Sequence, residues 1–301
     1  MSDQTAVLAG VEVAWAAASD PGRVRPVNED SVLAAAPVFV VADGMGGYEA
    51  GDRASAAAVG AFAQCLTGAG LATLDVVRTA LEAANQAVQQ VAAGTRRGAG
   101  STVTGVVLVE HLGAPHWLVL NVGDSRVYRH MGGTLEQVTV DHSLAQEMLD
   151  AQLLAPEDLA TFSESNVITR ALGAADSTAD SWLMPVVSGE RLLVCSDGLY
   201  RELADESIRA ALTLSGTPRS AADTLVTLAN QAGGRDNITV LVVDVRSGGL
   251  VAGDTSIDTD TDLADSVTPV RPRRADAVMD DIDDIYDTFD DTIDDTIQVR
   301  R

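Results

Sequence analysis

Three aspartates stand where an apolar run stops or starts: Asp43 in Val-Ala-Asp-Gly-Met-Gly-Gly, Asp197 in Cys-Ser-Asp-Gly, and Asp236 in Gly-Gly-Arg-Asp-Asn-Ile-Thr. Carboxylates at strand ends can converge on one rim of a sheet, and the glycine that follows two of them lets a main-chain carbonyl approach whatever they bind. Hard oxygen donors without a His or Cys cluster nearby select Mg²⁺ or Mn²⁺ over Zn²⁺. A fourth segment, Gly22 to Asp30, sets Arg25 four and five residues before the adjacent carboxylates Glu29 and Asp30. An arginine can clamp a phosphate with two parallel hydrogen bonds while carboxylates hold metal ions beside it. Any one Asp-Gly alone reads as an ordinary turn, and the Arg-Glu-Asp cluster alone as a surface ion pair.

The elements that must position these residues follow from periodicity. Val38–Ala42 and Arg191–Cys195 are short apolar runs of the kind that form buried strands. Asp75–Ala93 places Val77, Leu81, Ala84, Val88 and Val91 on one helical face and stops at Gly94. Thr217 as N-cap, Pro218 in the first turn and Gly233 past the last apolar position frame a second helix. Residues 102–110, 117–122, 126–130 and 135–140 read as an antiparallel meander turning at Gly123-Asp124 and Gly132-Gly133, and Ile238–Val245 as a closing strand. Long helices beside several antiparallel strands, without regular βαβ alternation, predict an α+β fold with helices on sheet faces.

Composition narrows the function. The 301 residues carry 44 acidic against 20 basic side chains, a formal net charge of −24, and every basic residue is Arg. Nucleic-acid binding is thereby disfavoured, and with it a two-metal nuclease. A phosphorylated substrate would be repelled unless bound metal ions supplied positive charge in the site. No stretch reaches the roughly 18 apolar residues of a membrane span, and Met1–Gly10 lacks a basic segment followed by an apolar run, so a cytoplasmic protein without membrane contact is expected. Cys65 and Cys195 sit singly in apolar segments, as buried thiols do.

Residues 1–246 are expected to form the folded domain, and 247–301 an acidic, disordered C-terminal tail, since residues 250–301 hold 15 Asp against 5 Arg. Within the tail, Ile282, Ile285, Phe289, Ile293 and Ile297 would share one side of a helix formed on a partner's groove. Thr288 and Thr292 each have Asp three residues later, a spacing that resembles what phosphothreonine-reading FHA domains accept. Segment 280–298 is therefore expected either to dock an FHA-domain or other regulatory partner or to serve only as a solubilising acidic tail.

In chain order, Arg25-x-x-Asn28-Glu29-Asp30, Asp43-Gly44-Met45-Gly46-Gly47, Gly100-Ser101-Thr102, Asn121-Val122-Gly123-Asp124-Ser125-Arg126, Ile168-Thr169-Arg170, Cys195-Ser196-Asp197-Gly198 and Asp236-Asn237-Ile238-Thr239 resemble the successive motifs of bacterial PP2C-type (PPM) metal-dependent serine/threonine protein phosphatases. The resemblance covers residues 10–245. It implies a sandwich of two antiparallel β-sheets flanked by helices, with two Mn²⁺ or Mg²⁺ ions at one end and a metal-bound hydroxide that hydrolyses phosphoserine and phosphothreonine on proteins, reversing kinase action. Asp43 would bridge the ions and the Gly44 carbonyl bind one of them. Asp197 and Asp236 would complete the first, and Glu29 or Asp30 would hold the second. Asn237 would support Asp236, and Arg25 would hold the phosphate. A third, weaker ion in bacterial members nominates Asp124 together with Asp197.

Two departures accompany it. Met45 stands where some relatives outside bacteria have a His proposed as general acid, which leaves that role unassigned. Residues 141–167 occupy the place of the family's mobile flap, but Phe162-Ser163 stand where many bacterial relatives have His-Pro, and His142 in its first turn is expected to be structural. The alternative reading is a pseudophosphatase, a phosphoprotein-binding module that keeps the fold and loses a metal ligand; here every expected acidic position is filled.

Overall fold

Val38, Phe39, Val40 and Val41 are all fully buried, which a strand achieves only when both of its faces are covered. The computed structural model, which describes residues 3–46, 50–66, 68, 70–96 and 98–251, supplies a different cover for each face. The chain runs β1 (Gln4–Leu8), β2 (Val11–Asp20), β3 (Asp30–Ala35), β4 (Val38–Met45), α1 (Gly51–Leu66), α2 (Leu74–Ala93), β5 (Gly100–Ser101), β6 (Val103–His111) and β7 (Ala114–Val122). It continues through β8 (Arg126–Met131), β9 (Thr134–Gln137), α3 (Leu144–Asp150), a 3₁₀ turn (Pro156–Thr161), β10 (Asp180–Pro185), β11 (Arg191–Cys195), α4 (Asp197–Tyr200), α5 (Asp205–Leu214), α6 (Pro218–Ala232) and β12 (Ile238–Ser247).

Two antiparallel sheets result, one in the order β1-β2-β12-β11-β8-β9 and the other β10-β7-β6-β4-β3, with β5 paired to the end of β4. Because strand side chains alternate, the central strands serve two cores. Phe39 and Val41 meet Trp117, Val127, Leu192 and Leu241 between the sheets, whereas Val38, Val40 and Ala42 pack on Ala58 and Phe62 of α1 and Ala84 of α2. On the opposite outer face, Leu193, Cys195, Val240 and Val242 pack on Ile208 of α5 and Leu225 of α6. The architecture is the helix-flanked sandwich expected from the sequence. Cys195 is buried and Cys65 half-buried.

The helix boundaries follow their caps. Thr73 accepts the Val76 N–H at the start of α2. Thr217 and Ser220 form a reciprocal capping box on α6, with Pro218 in its first turn and Gly233 after its end. The meander, by contrast, is corrected. β7 pairs with β6 in one sheet and β8 with β9 and β11 in the other, so Gly123-Asp124-Ser125 is a crossover between sheets rather than a hairpin. Gly123 has φ +109°, and a Cβ there would lie 2.5 Å from the Thr102 methyl carbon, so any side chain would block the crossing. His142 braces the same point: its Nδ1 accepts the Gly123 N–H and its Nε2 lies 3.2 Å from Asp180 Oδ2. β9 ends at Gln137, three residues short of the expected limit.

Hydrogen-bonded structure includes residues beyond Arg246. β12 reaches Ser247, and Leu250 exchanges hydrogen bonds with Val186 and Ser188. The expected regulatory segment 280–298, with Thr288 and Thr292, lies outside the described residues. Among those described, no helix is long and apolar enough to cross a membrane.

The sheets are also joined by a buried charge. Glu190 accepts from the Trp117 indole of β7 at 2.9 Å, from Arg129 Nε of β8 at 2.7 Å and from the Val187 N–H at 2.8 Å. Glu190→Ala would strand these donors in the interior, so chemical denaturation should register a loss of about 3 kcal/mol, with a smaller loss for Glu190→Gln. Equal stability of Glu190→Ala and wild type would contradict this bracing role.

Candidate functional site

The alternation that buries Phe39 and Val41 between the sheets carries Asp43 onto the same face two residues later. On β3, Asp30 lies directly opposite Asp43 in the strand register, beyond Val32 and Ala34, which face the same core. From the facing sheet, β11 ends at Cys195 and hands over to Asp197 at the start of α4, while Asp236 and Asn237 immediately precede β12. Four chain segments thus deliver Asp30, Asp43, Asp197 and Asp236 to one end of the sandwich. Arg25, Glu29, Asp43, Asp197, Arg201 and Asp236 line a shared cavity of about 520 Å³ there.

Short polar side chains lock each carrier in place. Thr102 Oγ1 accepts the Asp43 N–H at 2.9 Å, and the Thr102 N–H donates back to the Asp43 carbonyl at 2.8 Å. Gly44 passes so close to the start of α1 that a Cβ would lie 2.0 Å from the Gly51 carbonyl oxygen; only glycine permits that approach. Ser196 donates to Asp30 Oδ2 at 2.7 Å and accepts the Thr239 N–H at 3.0 Å. The Asn237 side chain staples the 21–29 loop, donating to the Pro21 and Val27 carbonyls and accepting the Glu29 N–H. Asn237 meets Asp236 through its main chain, whose N–H donates to Asp236 Oδ1 at 2.9 Å. Ser196 was legible only as the neighbour of Asp197, and Thr102 only as a member of the Gly100-Ser101-Thr102 motif.

The electrostatics are those of crowded anions. Burial, reinforced by Asp30 and Asp197, pushes the Asp43 carboxyl well above its ordinary range. Burial likewise raises Asp30 to about 6 and Asp197 to about 7, and Glu29 rises through burial and the charge of Asp52. Two arginines face this charge. Arg25 donates to Asp236 Oδ2 at 2.8 Å with its own side chain half exposed. Arg201, which the sequence reading did not nominate, donates through Nε to Asp197 at 2.8 Å and through Nη2 to Asp124 at 3.0 Å. Its position four residues after Asp197, one helical turn away, was the available signal.

The carboxylates face a cavity rather than a point: among the described residues, no three His, Cys, Asp or Glu side chains form a closed metal-binding group. Their chemistry nevertheless fits a hard divalent cation. All donors are oxygen, and Asp30 Oδ1 and Asp197 Oδ1 are buried without a hydrogen-bond partner, a costly state that a cation would relieve. Asp124 lines the neighbouring cavity rather than this one and is tied to Asp197 by Arg201.

Residues 26–233 match the family described as protein phosphatase 2C. The serine/threonine protein phosphatase PstP of Mycobacterium tuberculosis is 37% identical over 238 residues, covering 77% of this chain and 45% of that protein, so the chain spans less than half the length of this relative. The serine/threonine phosphatase Stp of Listeria monocytogenes is 34% identical over 239 residues, covering 75% of this chain and 93% of that one. A crystal structure of the M. tuberculosis phosphatase PstP superposes with a TM-score of 0.73 at 33% identity, covering 79% of this chain and all of that one. The catalytic domain of PstP in complex with two manganese ions superposes with a TM-score of 0.68 at 34% identity, covering 79% and 99%.

Relieving anion crowding should stabilise the metal-free protein. In EDTA at mildly alkaline pH, Asp43→Asn is expected to gain about 1 kcal/mol or more, read as a rise in Tm. A fall in Tm would show that Asp43 is instead held by compensating partners.

Proposed function

The chain belongs to the protein phosphatase 2C family, and on that footing we propose that it is a metal-dependent serine/threonine protein phosphatase acting at the cavity between its two sheets. The observation that carries this reading is the convergence of Glu29, Asp43, Asp197 and Asp236 around one cavity, with Asp30 buried behind it opposite Asp43 and with Asp30 Oδ1 and Asp197 Oδ1 lacking partners. Mn²⁺ or Mg²⁺ would be held by Asp43, Asp197 and Asp236 on one side and by Asp43 with Glu29 or Asp30 on the other, with the Gly44 carbonyl binding one of the two ions. Bound there, a pair of such ions would lend Lewis acidity to the phosphoryl oxygens and lower the pKa of an attacking water.

The chain's own residues do the rest. Arg25 is tethered at one nitrogen to Asp236 and half exposed at the cavity, which leaves donors of its planar fork free to hold phosphoryl oxygens as charge develops on them. Ser196 fixes the orientation of Asp30, and Thr102 fixes the strand that carries Asp43. Asn237 keeps the 21–29 loop, and so Arg25 and Glu29, against the facing sheet. The phosphorylated side chain of a protein substrate reaches the cavity from solvent. With every acidic position filled, hydrolysis is favoured over mere phosphoprotein binding.

Asp43→Ala and Asp236→Ala are each expected to lower Mn²⁺-dependent hydrolysis of a small phosphomonoester by at least about 100-fold, with the fold retained by circular dichroism. Retention of more than a tenth of wild-type turnover in either would overturn the assignment. Arg25→Ala should weaken phosphate handling while leaving Mn²⁺ binding in place, visible as a metal titration like that of wild type with a much lower kcat/KM. A metal titration altered as strongly as in Asp236→Ala would make Arg25 a brace for the ligands instead.

Regulation through segment 280–298, by an FHA-domain or other partner, belongs to the same proposal. β12 begins beside the cavity and spans 10 residues, so its far end lies about 30 Å away at 3.3 Å per residue. Truncation after Val251 is therefore expected to leave small-phosphoester turnover unchanged and to slow dephosphorylation of particular proteins in cells. Identical phosphoproteomes and pull-downs for truncated and full-length chains would remove the regulatory role.

A further inference from the structure

Asp124 and Asp197 are the carboxylates that the family resemblance nominates for a third ion, and a cation already stands between them. The Arg201 guanidinium donates through Nε to Asp197 Oδ2 at 2.8 Å and through Nη2 to Asp124 Oδ2 at 3.0 Å. Its remaining nitrogen, Nη1, donates to Asn166 Oδ1. All three nitrogens are engaged, and a guanidinium keeps its charge throughout the accessible pH range.

The surroundings hold this arrangement. Arg201 lies directly after α4, and its main-chain N–H donates to the Asp197 carbonyl at 3.0 Å. Asp124 is buried, and its own carbonyl accepts the Tyr200 hydroxyl at 2.9 Å. The Tyr200 ring lies 3.6 Å beneath the Arg126 guanidinium, which grips Asp141 through two nitrogens. Asp124 thus sits in a stacked frame, with its Oδ2 committed to Arg201. Its Oδ1 is buried without a partner, as is Asp197 Oδ1, but Asp197 Oδ1 belongs to the first ion of the proposed centre; the single carboxylate oxygen that remains is a poor shell for a hard divalent ion, and the adjacent guanidinium repels such an ion.

We propose that Arg201 is a built-in third cation: its guanidinium takes the place between Asp124 and Asp197 that a third divalent ion would need, so the enzyme works with two exchangeable ions and one fixed positive charge. This inference rests on the metal centre of the proposed function. Asp124 then acts as a positioning residue for Arg201. Because Arg201 lines both the main cavity and the neighbouring one of about 750 Å³ beneath the 141–167 segment, the fixed charge also stands where that segment meets the site, at Asn166.

The test is the stoichiometry of Mn²⁺ bound to the full chain, by native mass spectrometry and equilibrium dialysis from micromolar to tens of millimolar metal. Wild type should saturate at two ions, and Asp124→Asn should match it. Arg201→Ala, checked for folding by circular dichroism, should bind a third and weaker ion that disappears in the Arg201→Ala, Asp124→Asn double variant. A third ion in wild type that is lost in Asp124→Asn overturns the inference, as does an Arg201→Ala protein that stays at two. If Arg201→Ala fails to fold, wild type against Asp124→Asn decides alone: two ions in both supports the inference. A wild type that binds no Mn²⁺ overturns the proposed function along with it, an outcome distinct from binding three.

Discussion

Like charges brought out of water repel, and the rest of this structure is arranged around that fact. Asp30, Asp43, Asp124, Asp197 and Asp236 are delivered to one end of a β-sandwich, and burial together with mutual repulsion holds the Asp30, Asp43 and Asp197 carboxyls above their ordinary range. A fold whose only task was stability would not assemble this group, since each unpaired buried charge costs several kcal/mol. The cost is sustained because the carriers are rigid. Every one of these aspartates lies in or within a few residues of a paired strand: β4, β11 and β12 are central and largely buried, and β3, the edge strand that carries Asp30, is held by its pairing with β4 and by the Ser196 hydroxyl.

Positive charge is the other half of the arrangement, and this chain provides some of its own. Arg25 caps Asp236 at the mouth, where the ion pair is half exposed and contributes little to stability. Under the proposed function, the donors that Asp236 leaves free are those that would hold a phosphate. Arg201 is different, because it is flanked by two carboxylates and the Tyr200–Arg126–Asp141 stack. Under the proposed function, one arginine is placed to meet substrate and the other to stay.

Much of the candidate site was legible in the sequence because its carboxylates sit in short motifs at strand ends, where an apolar run breaks into Asp-Gly. The pattern identifies Asp43 and Asp197 directly, and Asp236 by its place before the last apolar run. The runs themselves mark β4, β11 and β12. What the sequence withheld was assignment between sheets. Alternation states which side chains share a face and is silent about which neighbour a strand adopts, so β7 and β8 read as one meander although Gly123 carries the chain from one sheet to the other. Arg201 was missed for a similar reason: an arginine one turn after an aspartate reads as an ordinary helix-surface pair, and the second carboxylate, Asp124, comes from 77 residues away. The role of Asn237 shifted likewise, since a side chain that staples a distant loop has no local signature.

If anion crowding answered by divalent cations organises this site, metal must stabilise the folded chain. The direct measurement is the Tm of the full-length protein by calorimetry as Mn²⁺ is added after EDTA treatment. The account predicts a Tm that climbs with metal concentration in proportion to RT ln(1 + [Mn²⁺]/Kd), and a climb that is abolished in Asp43→Asn. A Tm indifferent to Mn²⁺, or one that climbs equally without the Asp43 carboxylate, would contradict it.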